Sequence, residues 1–357
     1  MPSAAVIIIN RTLVRDLRRF RRRCREAATA SGWEPSFLET TVDERGLGLA
    51  RGAVAAGARM VVAAGGDGTV RACAQALEGT QVPLAIVPLG TANLVARALG
   101  VPSRIGGALA AGFGGHERRI DLAAVEVADA ADDETEAADG ATRGPGEATG
   151  DARVAAEIAE GATRGPGEAT GGARDAAEIA DGTADPRALT IAAMAGIGLD
   201  AEVVAATPRL LKRQAGWASY ALAGVTHLAG PGHCFTVRLD DGEPLARRAR
   251  CVVIGNAGLL PGGFVLLPRA RLDDGLLDVG ILAPSGPAGW LRVAHRVLTH
   301  SGRDCPQLER HQARRIEIRA GTDLPREVDG EVIAPGRSLT VTLLRSALTV
   351  RVPSPGR

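Results

Sequence analysis

Four short apolar segments alternate with helical patterns over the first part of the chain, and this alternation constrains the fold more than any other feature. The segments expected to be buried strands are AVIIIN (5–10), SFLET (36–40), MVVAAG (60–65) and PLAIVP (83–88). After the first segment, apolar side chains recur on one helix face at Leu13, Leu17, Phe20, Cys24 and Ala27. Further helices are expected near 46–57, 69–78 and 91–99. Strands alternating with helices predict a doubly wound parallel sheet, which binds ligands at the carboxyl ends of its strands.

From Arg119 onward the apolar period changes to two residues, as expected for β-strands with one buried face. The strands of this kind are IDLAAVEV, LTIAAMAG, CFTVRLD, CVVIGN, LDVGIL, RIEIRA, LTVTLL and ALTVRV, with helices near 209–229 and 287–301. A chain of 357 residues is long enough for two hydrophobic cores. The sequence therefore predicts an α/β domain over 1–118, followed by a β-rich, largely antiparallel domain over 119–357.

Residues 129–187 differ in composition from the rest of the chain. They include 15 acidic and 5 basic residues, and GATRGPGEATG occurs twice, at 140–150 and 161–171, as part of a 21-residue tandem repeat. With almost no large apolar side chain, the segment cannot bury enough surface to offset its backbone entropy. A solenoid, the alternative, needs about three or more repeats with a continuous apolar face. We therefore expect a disordered acidic insert between the first two strands of the second domain.

Net charge and residue spacing exclude several kinds of partner and site. The formal net charge of +1 argues against nucleic acid as a partner, because its binders carry a strongly basic face. The five cysteines are scattered and the six histidines lack metal-ligand spacing, so neither a disulfide framework nor a zinc site is expected. No apolar stretch reaches the roughly 18 residues of a membrane span, and no signal peptide is recognisable. We expect a cytoplasmic protein, soluble or peripheral on the inner face of the membrane.

The first motif with chemical content is GGDGT at 65–69, which lies between a predicted strand and a predicted helix. Glycines there let backbone N–H groups approach an anion, and the helix N-terminus adds a favourable dipole. Asp67, in the centre of the motif, makes sense among phosphate-binding amides if a divalent cation screens the two negative groups. The alternative is an ordinary tight turn in which Asp67 or Thr69 caps the helix.

A second loop of the same kind, PLGTAN at 88–93, follows one strand–helix unit later. Together with ARALGVP at 96–102, the two loops resemble the diacylglycerol kinase catalytic domain family, bacterial lipid kinases related to sphingosine kinase and more distantly to NAD kinase. The resemblance continues in the family's order through RIDL (119–122), GIGLDA (196–201), GN (255–256), GG (262–263), PRARLDDGLLD (268–278) and VDGE (328–331). It covers essentially the whole chain except 129–187.

The resemblance implies an NAD kinase/diacylglycerol kinase-like fold with a nucleotide site and a metal site. ATP would contact Asn10 to Val14, Thr41, Thr91 and the loop residues Gly65, Gly66, Asp67, Gly68, Thr69 and Val70. A structural Mg²⁺ would bind the carboxylate of Asp274 and the backbone carbonyls of Arg271 and Leu276.

The same resemblance implies that Glu331 is the catalytic acid/base. Asp67 and Asp121 are further candidate catalytic carboxylates, since Asp67 would help position Mg²⁺ and the ATP phosphates and Asp121 lies where the chain enters the second domain. A lipid hydroxyl is a poor nucleophile until a carboxylate accepts its proton, so this role is chemically reasonable. Without the resemblance, Glu331 is more simply interpreted as an exposed residue beside an Asp-Gly hairpin turn. The Asp-Asp-Gly sequence at 273–275 is likewise typical of a plain turn.

Three positions depart from the family pattern. Arg11 follows Asn10 where proline is usual, Leu94 follows Asn93 where aspartate is frequent, and Ala193 stands where asparagine is common. These departures bear on the identity of the substrate more than on phosphoryl transfer, because the candidate carboxylates remain.

The leading hypothesis is an ATP- and Mg²⁺-dependent kinase that phosphorylates the hydroxyl of diacylglycerol or a related lipid at a membrane surface. The alternatives are a sphingoid-base or NAD-type kinase, and a nucleotide-binding regulator without activity. Basic and aromatic residues of the predicted helix 209–229 could lie against anionic lipid, although an ordinary solvated helix face explains them equally well. The sequence does not determine the oligomeric state.

Overall fold

The computed structural model describes residues 3–42, 44–127, 189–198, 232–260, 264–299 and 305–354. The predicted insert at 129–187 and the predicted helix at 209–229 lie outside the described residues.

The first part of the chain forms the predicted parallel sheet. Its strands are β1 (Ser3–Ile9), β2 (Trp33–Glu39), β3 (Met60–Gly65) and β4 (Leu84–Pro88), in the order β2-β1-β3-β4. Its helices are α1 (Leu17–Ala30), α2 (Leu47–Ala55), α3 (Asp67–Leu77), α4 (Leu94–Ala98) and α5 (Ile105–Gly114). Every residue of β3 and β4 is buried, which explains why these strands are continuous apolar runs rather than alternating ones.

The helices differ from the sequence-based expectation at their ends. The apolar face of α1 buries Phe20, Cys24 and Ala28, and a short 3-10 helix at Arg11–Leu13 precedes it. The helix expected over 91–99 begins only at Leu94, because the preceding Asn93 has a left-handed backbone with φ of 49°. Helix α5 was not predicted, since its four glycines are poor helix formers. Burial of its apolar side chains offsets that weakness.

The second part of the chain is built from strands, as expected. These are β5 (His116–Glu126), β6 (Leu189–Ile191), β7 (Met194–Gly198), β8 (His233–Leu239), β9 (Leu245–Ala249), β10 (Cys251–Gly255), β11 (Leu277–Leu282), β12 (Leu308–Ala313), β13 (Arg315–Val328) and β14 (Glu331–Val352). They pair with one another in antiparallel fashion, and helix α6 (Gly286–Leu298) follows β11. The sequence did not predict β9 and β12, whose residues are mostly polar or small.

Strand β14 connects the two parts of the fold. The segments LTVTLL and ALTVRV, expected as two strands, belong to this single strand, with an irregularity in its pairing to β5 between Leu344 and Leu348. Near its end, Val350 pairs in parallel with Leu84 of β4. Within the described residues, all fourteen strands therefore belong to one continuous sheet. Among the described helices, none combines the length and the apolar character needed to cross a membrane.

Candidate active site

Two glycine-containing loops lie against each other at the carboxyl ends of β3 and β4. The first, at 65–69, leads from β3 into α3, and the second, at 88–93, leads from β4 into α4. A Cβ added at Gly90 would lie 2.6 Å from the Cα of Gly66, which is closer than real Cβ contacts allow. The loops can approach this closely only because Gly90 lacks a side chain.

Asp67 fixes the second loop relative to the first. Its carboxylate accepts the N–H of Asn93 at 2.8 Å and the N–H of Leu94 at 2.6 Å. Asn93 in turn bonds through its side chain to both the N–H and the carbonyl of Gly90. Burial raises the pKa of Asp67, and the hydrogen bonds from Leu94 and Asn93 act in the opposite direction. Asp67 therefore caps the start of α4, whereas Gly66 is the N-cap of α3.

Asn10 approaches the first loop from the end of β1. Its side-chain nitrogen lies 3.5 Å from the Thr69 hydroxyl, and its side-chain oxygen accepts the N–H and the hydroxyl of Thr12 at 3.2 and 2.8 Å. The neighbouring β3 also bonds to it, since the Asn10 N–H donates to the carbonyl of Ala64 at 2.9 Å. The contacts of Asn10 thus hold the segment that follows β1 against the GGDGT loop.

The other predicted nucleotide residues differ in exposure. Thr41, just after β2, and Thr91, in the second loop, are both exposed to solvent. Thr69 and Val70 are each 4% exposed, and the Val70 side chain belongs to the hydrophobic core. A nucleotide would therefore reach Val70 through its backbone, while the two exposed threonines remain accessible through their side chains.

Glu331 follows the tight hairpin turn that connects β13 to β14. Val328 pairs with Glu331, and the two residues between them, Asp329 and Gly330, have φ of 49° and 80°. Positive φ at both central residues is the signature of a two-residue hairpin turn with right-handed strand twist. The Asp-Gly hairpin inferred from the sequence is therefore present, and it presents Glu331 as the first residue of β14.

The side chain of Glu331 lies over the GGDGT loop. A Cβ added at Gly68 would come 3.2 Å from the Glu331 Oε1 atom. One oxygen of the carboxylate accepts a hydrogen bond from Arg45, in the segment before α2, and the other accepts one from Arg71, on α3. The predicted catalytic base and the predicted phosphate loop thus lie in contact, although Gly68 and Glu331 are 263 positions apart in the sequence.

A buried carboxylate holds the Glu331 hairpin in place. Asp329 is 7% exposed, and its oxygens accept the backbone N–H groups of Ala192, Ala193 and Met194, each at 2.9 Å. Burial raises the pKa of Asp329, while the positive charge of Arg71 lowers it. The turn is therefore anchored to the start of β7, which limits the positions that Glu331 can adopt.

Asp121, a further candidate catalytic carboxylate, is buried and hydrogen-bonded to backbone. Asp121 is 2% exposed, and its carboxylate accepts the N–H of Gly275 at 2.8 Å and the N–H of Ser346 at 2.6 Å. Each oxygen is thus engaged with backbone, one at Gly275 and the other at Ser346. These contacts position the 271–276 segment, and a catalytic role for Asp121 stays a prediction.

The 271–276 segment holds the residues that the resemblance assigns to a cation. The Asp274 carboxylate is exposed and accepts only the N–H of Leu276, at 3.1 Å, among the hydrogen bonds of the described residues. Burial raises the pKa of Asp274, and the negative charge of Asp121 raises it further. Asp273, by contrast, is paired with Arg118. A carboxylate beside a second negative charge and next to backbone carbonyls is a donor set that hard cations such as Mg²⁺ prefer.

Asn256 connects Asp121, which holds the 271–276 segment, with the strand residue that contacts the Glu331 hairpin. Its side-chain nitrogen donates to the carbonyls of Asp121 and Ala192, at 2.8 and 3.3 Å. The N–H of Ala192 in turn donates to the Asp329 carboxylate. Asp121, Asn256 and Asp329 therefore form one buried network between the two groups of candidate functional residues.

Sequence reasoning singled out the GGDGT loop, Glu331 and Asp274 as candidates, but it did not predict the residues that contact them. Arg45 and Arg71 could not be recognised as site residues, because arginines are abundant throughout the chain. The buried position of Asp329 could have been suspected from the Asp-Gly turn, although the turn alone does not reveal three accepted hydrogen bonds.

Two family models match this chain. The model of the diacylglycerol kinase catalytic domain matches residues 4–125, and the model of the YegS C-terminal NAD kinase beta sandwich-like domain matches residues 193–352. Together they cover both the GGDGT loop and Glu331, and they leave the acidic repeat segment unmatched.

Curated relatives and solved structures agree with these matches. A "Probable lipid kinase YegS-like" from Pseudomonas aeruginosa is 31% identical over 92% of this chain and 86% of its own, and one from Pseudomonas fluorescens is 30% identical over 92% and 89%. A crystal structure described as a diacylglycerol kinase from Bacillus anthracis superposes with a TM-score of 0.68 at 18% identity, covering 98% of this chain and 97% of the other. At this low sequence identity, the similarity to the Bacillus anthracis structure concerns the fold alone. On these grounds the chain belongs to the YegS-like lipid kinases of the diacylglycerol kinase catalytic domain family.

Proposed function

We propose that this protein transfers the γ-phosphoryl group of ATP to the hydroxyl of diacylglycerol or a closely related lipid. The observation that carries the proposal is the position of the Glu331 carboxylate directly over Gly68 of the GGDGT loop. A glycine loop at a helix N-terminus suits a phosphate group, and a carboxylate beside it suits an approaching hydroxyl. The two reacting groups would therefore meet in one cleft.

The reaction then follows from the arrangement of these groups. The lipid hydroxyl oxygen forms a bond to the γ-phosphorus, the bond between that phosphorus and the bridging oxygen of ADP breaks, and the hydroxyl proton passes to Glu331. Backbone N–H groups of the 65–69 loop would hold the phosphates in line. Asp67 keeps the second loop packed against the first, so both loops stay fixed during transfer.

A divalent cation at the 271–276 segment fits this function. The carboxylate of Asp274 and the backbone carbonyls of Arg271 and Leu276 would hold it, and Asp121 would keep the segment in shape through Gly275. When bound, such a cation would supply positive charge that holds the carboxylate and carbonyl oxygens of this loop together.

A membrane surface is the proposed place of the reaction, because the acceptor is a lipid. Exposed arginines cluster in and just before α1, at Arg11, Arg15, Arg18, Arg19, Arg22, Arg23 and Arg25. Among the described residues, Arg22 with Glu26 at 3.7 Å is the ion pair that this group forms. A dense patch of exposed guanidinium groups favours anionic lipid headgroups. Sedimentation with anionic and with zwitterionic vesicles, using the Arg18→Gln/Arg22→Gln/Arg25→Gln variant as comparison, tests this part of the proposal.

The function itself is tested by offering ATP and Mg²⁺ with diacylglycerol, sphingosine or NAD in separate reactions. We expect phosphorylated diacylglycerol or a related glycerolipid, and its formation should be lost in the Glu331→Gln variant. Phosphorylation of sphingosine or NAD alone would identify a different kinase of the same fold. Absence of any transfer, with nucleotide still bound, would instead favour a regulator without activity.

A further inference from the structure

Two arginines converge on Glu331 from the side of the cleft that carries the phosphate loop. Arg45 lies in the segment between β2 and α2, and Arg71 lies in the second turn of α3. Their side chains are 44% and 14% exposed, and the Glu331 side chain is 33% exposed. Each guanidinium donates to a different oxygen of the same carboxylate. The positive charges of the α/β part therefore hold the carboxylate of the β-rich part.

The Glu331 carboxylate lies among groups that favour a negative charge. It lies beside Gly68, in the first turn of α3, where the backbone N–H groups and the helix dipole favour negative charge. The guanidinium groups of Arg45 and Arg71 add two further donors at the same point. A phosphoryl oxygen accepts the same charge-assisted hydrogen bonds as a carboxylate oxygen.

This arrangement restrains Glu331 as a general base for as long as the arginines keep their present partner. A base must turn a free lone pair toward the lipid hydroxyl, and the two guanidinium groups occupy a lone pair on each oxygen and hold the carboxylate in one orientation. A phosphoryl group bound next to Gly68 would offer these arginines a more highly charged acceptor. Transfer of the arginines to the phosphoryl group would free the carboxylate for the hydroxyl proton.

We propose that Arg45 and Arg71 bind the transferable γ-phosphoryl group of the nucleotide, and that the Glu331 carboxylate occupies their site until the phosphoryl group displaces it. The inference rests on the proposed function and adds two residues to its nucleotide site. In it, Arg45 and Arg71 contact the phosphoryl group that is transferred, and Glu331 becomes available as a base only when that group is present. Nucleotide binding and activation of the base are thus coupled through one pair of arginines.

The first test compares a diphosphate with a triphosphate. Binding of ADP and of the non-hydrolysable adenylyl imidodiphosphate is measured by calorimetry for the full chain and for Arg45→Gln and Arg71→Gln. We expect each variant to weaken triphosphate binding roughly ten- to hundredfold while ADP binding changes little, because ADP lacks the γ-phosphoryl group. Arg71→Lys should recover part of the loss, since it keeps the charge but not the planar fork. Arg51→Gln, at an exposed position of α2, is the matched control and should bind both nucleotides as the unmodified chain does.

The second test removes the charge of Glu331, the carboxylate that would compete with the phosphoryl group for the two arginines. Glu331→Gln removes the negative charge that occupies the arginine site, so it should bind the triphosphate analogue several-fold more tightly although it cannot act as a base. Unchanged or weaker triphosphate binding by this variant would overturn the inference.

The outcomes separate this inference from the proposed function. If the unmodified chain binds both nucleotides and phosphorylates lipid, but the arginine variants lose affinity for ADP and the triphosphate equally, the inference fails and the function stands. If the variants raise only the KM of the lipid, Arg45 and Arg71 recognise the acceptor, for example a headgroup phosphate, and the inference is likewise wrong. If the unmodified chain binds neither nucleotide, both proposals fail. Should Arg71→Gln not fold, Arg45→Gln decides, because its more exposed side chain contributes less to packing.

Discussion

Gly66 and Gly90 meet backbone to backbone, so that a side chain at Gly90 would place its Cβ 2.6 Å from the Cα of Gly66. This contact sets the distance between the two loops that are proposed to hold the nucleotide. The contact joins one residue from each loop, so a substitution in one loop should displace the other.

Gly90→Ala should push the two loops apart and abolish tight nucleotide binding. We expect a loss of affinity for ADP of at least about tenfold together with a lower melting temperature, because close-packed backbone cannot yield to a methyl group without shifting. Gly52→Ala, in α2, is the control, since no atom lies within 4 Å of a Cβ there. Calorimetry and thermal melting on both variants check the expectation, and full ADP affinity in Gly90→Ala would contradict it.

Asp67→Ala should lower stability and turnover together. The variant leaves the N–H groups of Asn93 and Leu94 without their acceptor, which costs about 1–3 kcal/mol. The second loop then loses its attachment, and turnover falls with it. Asp240→Ala is the control, because Asp240 also accepts two backbone N–H groups, at 2.8 and 2.9 Å, from Arg314 and Arg315 in the β-rich part. This control should lose a comparable amount of stability and keep its turnover. Melting and rate are measured on one preparation of each.

Glu331→Gln tests the base directly, since glutamine keeps the shape of glutamate but cannot accept a proton at neutral pH. We expect kcat to fall by about 10²–10⁴ without a matching loss of stability. Glu317→Gln is a suitable control, because Glu317 also pairs with an arginine, Arg315, at 2.9 Å on β13. Retention of more than about a tenth of the normal kcat, with chemistry rate-limiting, would show that another group accepts the proton.

Asp329→Ala should displace Glu331 through the hairpin turn. Loss of the acceptor for three backbone N–H groups costs roughly 3 kcal/mol, and kcat should fall while the KM for ATP changes much less. Asp240→Ala provides the comparison, because Asp240 also has a positive φ, of 51°, and accepts two backbone N–H groups in a turn. That variant should lose stability but not turnover. Equal kinetic effects in both would show that general destabilisation, not placement of Glu331, lowers the rate.

The thiols of Cys24 and Cys73 should resist alkylation in the folded protein. Both residues are 0% exposed, and burial raises the pKa of each thiol from 9.0 to about 12. Because the thiols ionise more readily in the unfolded chain, the stability that they contribute is present below about pH 9 and is lost as the pH rises toward 12. Mass spectrometry after iodoacetamide treatment at pH 8 should find Cys234 and Cys305 labelled first. Early labelling of Cys73 would show that α3 opens locally.

The parallel sheet could be predicted because its strands are buried on both faces and leave continuous apolar runs in the sequence. The strand β9, LARRA, could not, since it has only one large apolar residue. Its formation depends on antiparallel pairing with β8, a contact between segments that local patterns do not encode. The glycine-rich α5 escaped prediction for a similar reason, because tertiary burial outweighs its weak helix propensity.

In the candidate site, too, local motifs could be predicted and contacts between distant residues could not. Glycine loops and an Asp-Gly turn have local signatures, so the GGDGT loop and the hairpin before Glu331 could be recognised. The pairing of Arg45 and Arg71 with Glu331 joins residues more than two hundred positions apart along the chain. Since all but one of the 42 basic residues are arginine, nothing in the sequence distinguishes these two from the rest.

The pairing of β5 with β6 has a consequence for how this chain tolerates added sequence. Val125 lies opposite Leu189 in the antiparallel register, so the strands on either side of the acidic repeat segment are already side by side. The closure entropy of a connection between such strands grows only slowly with its length. Extra residues at this point would leave the register, the cleft and the two loops unchanged. The position is therefore a natural entry point for foreign sequence, such as an affinity tag or a fluorescent reporter.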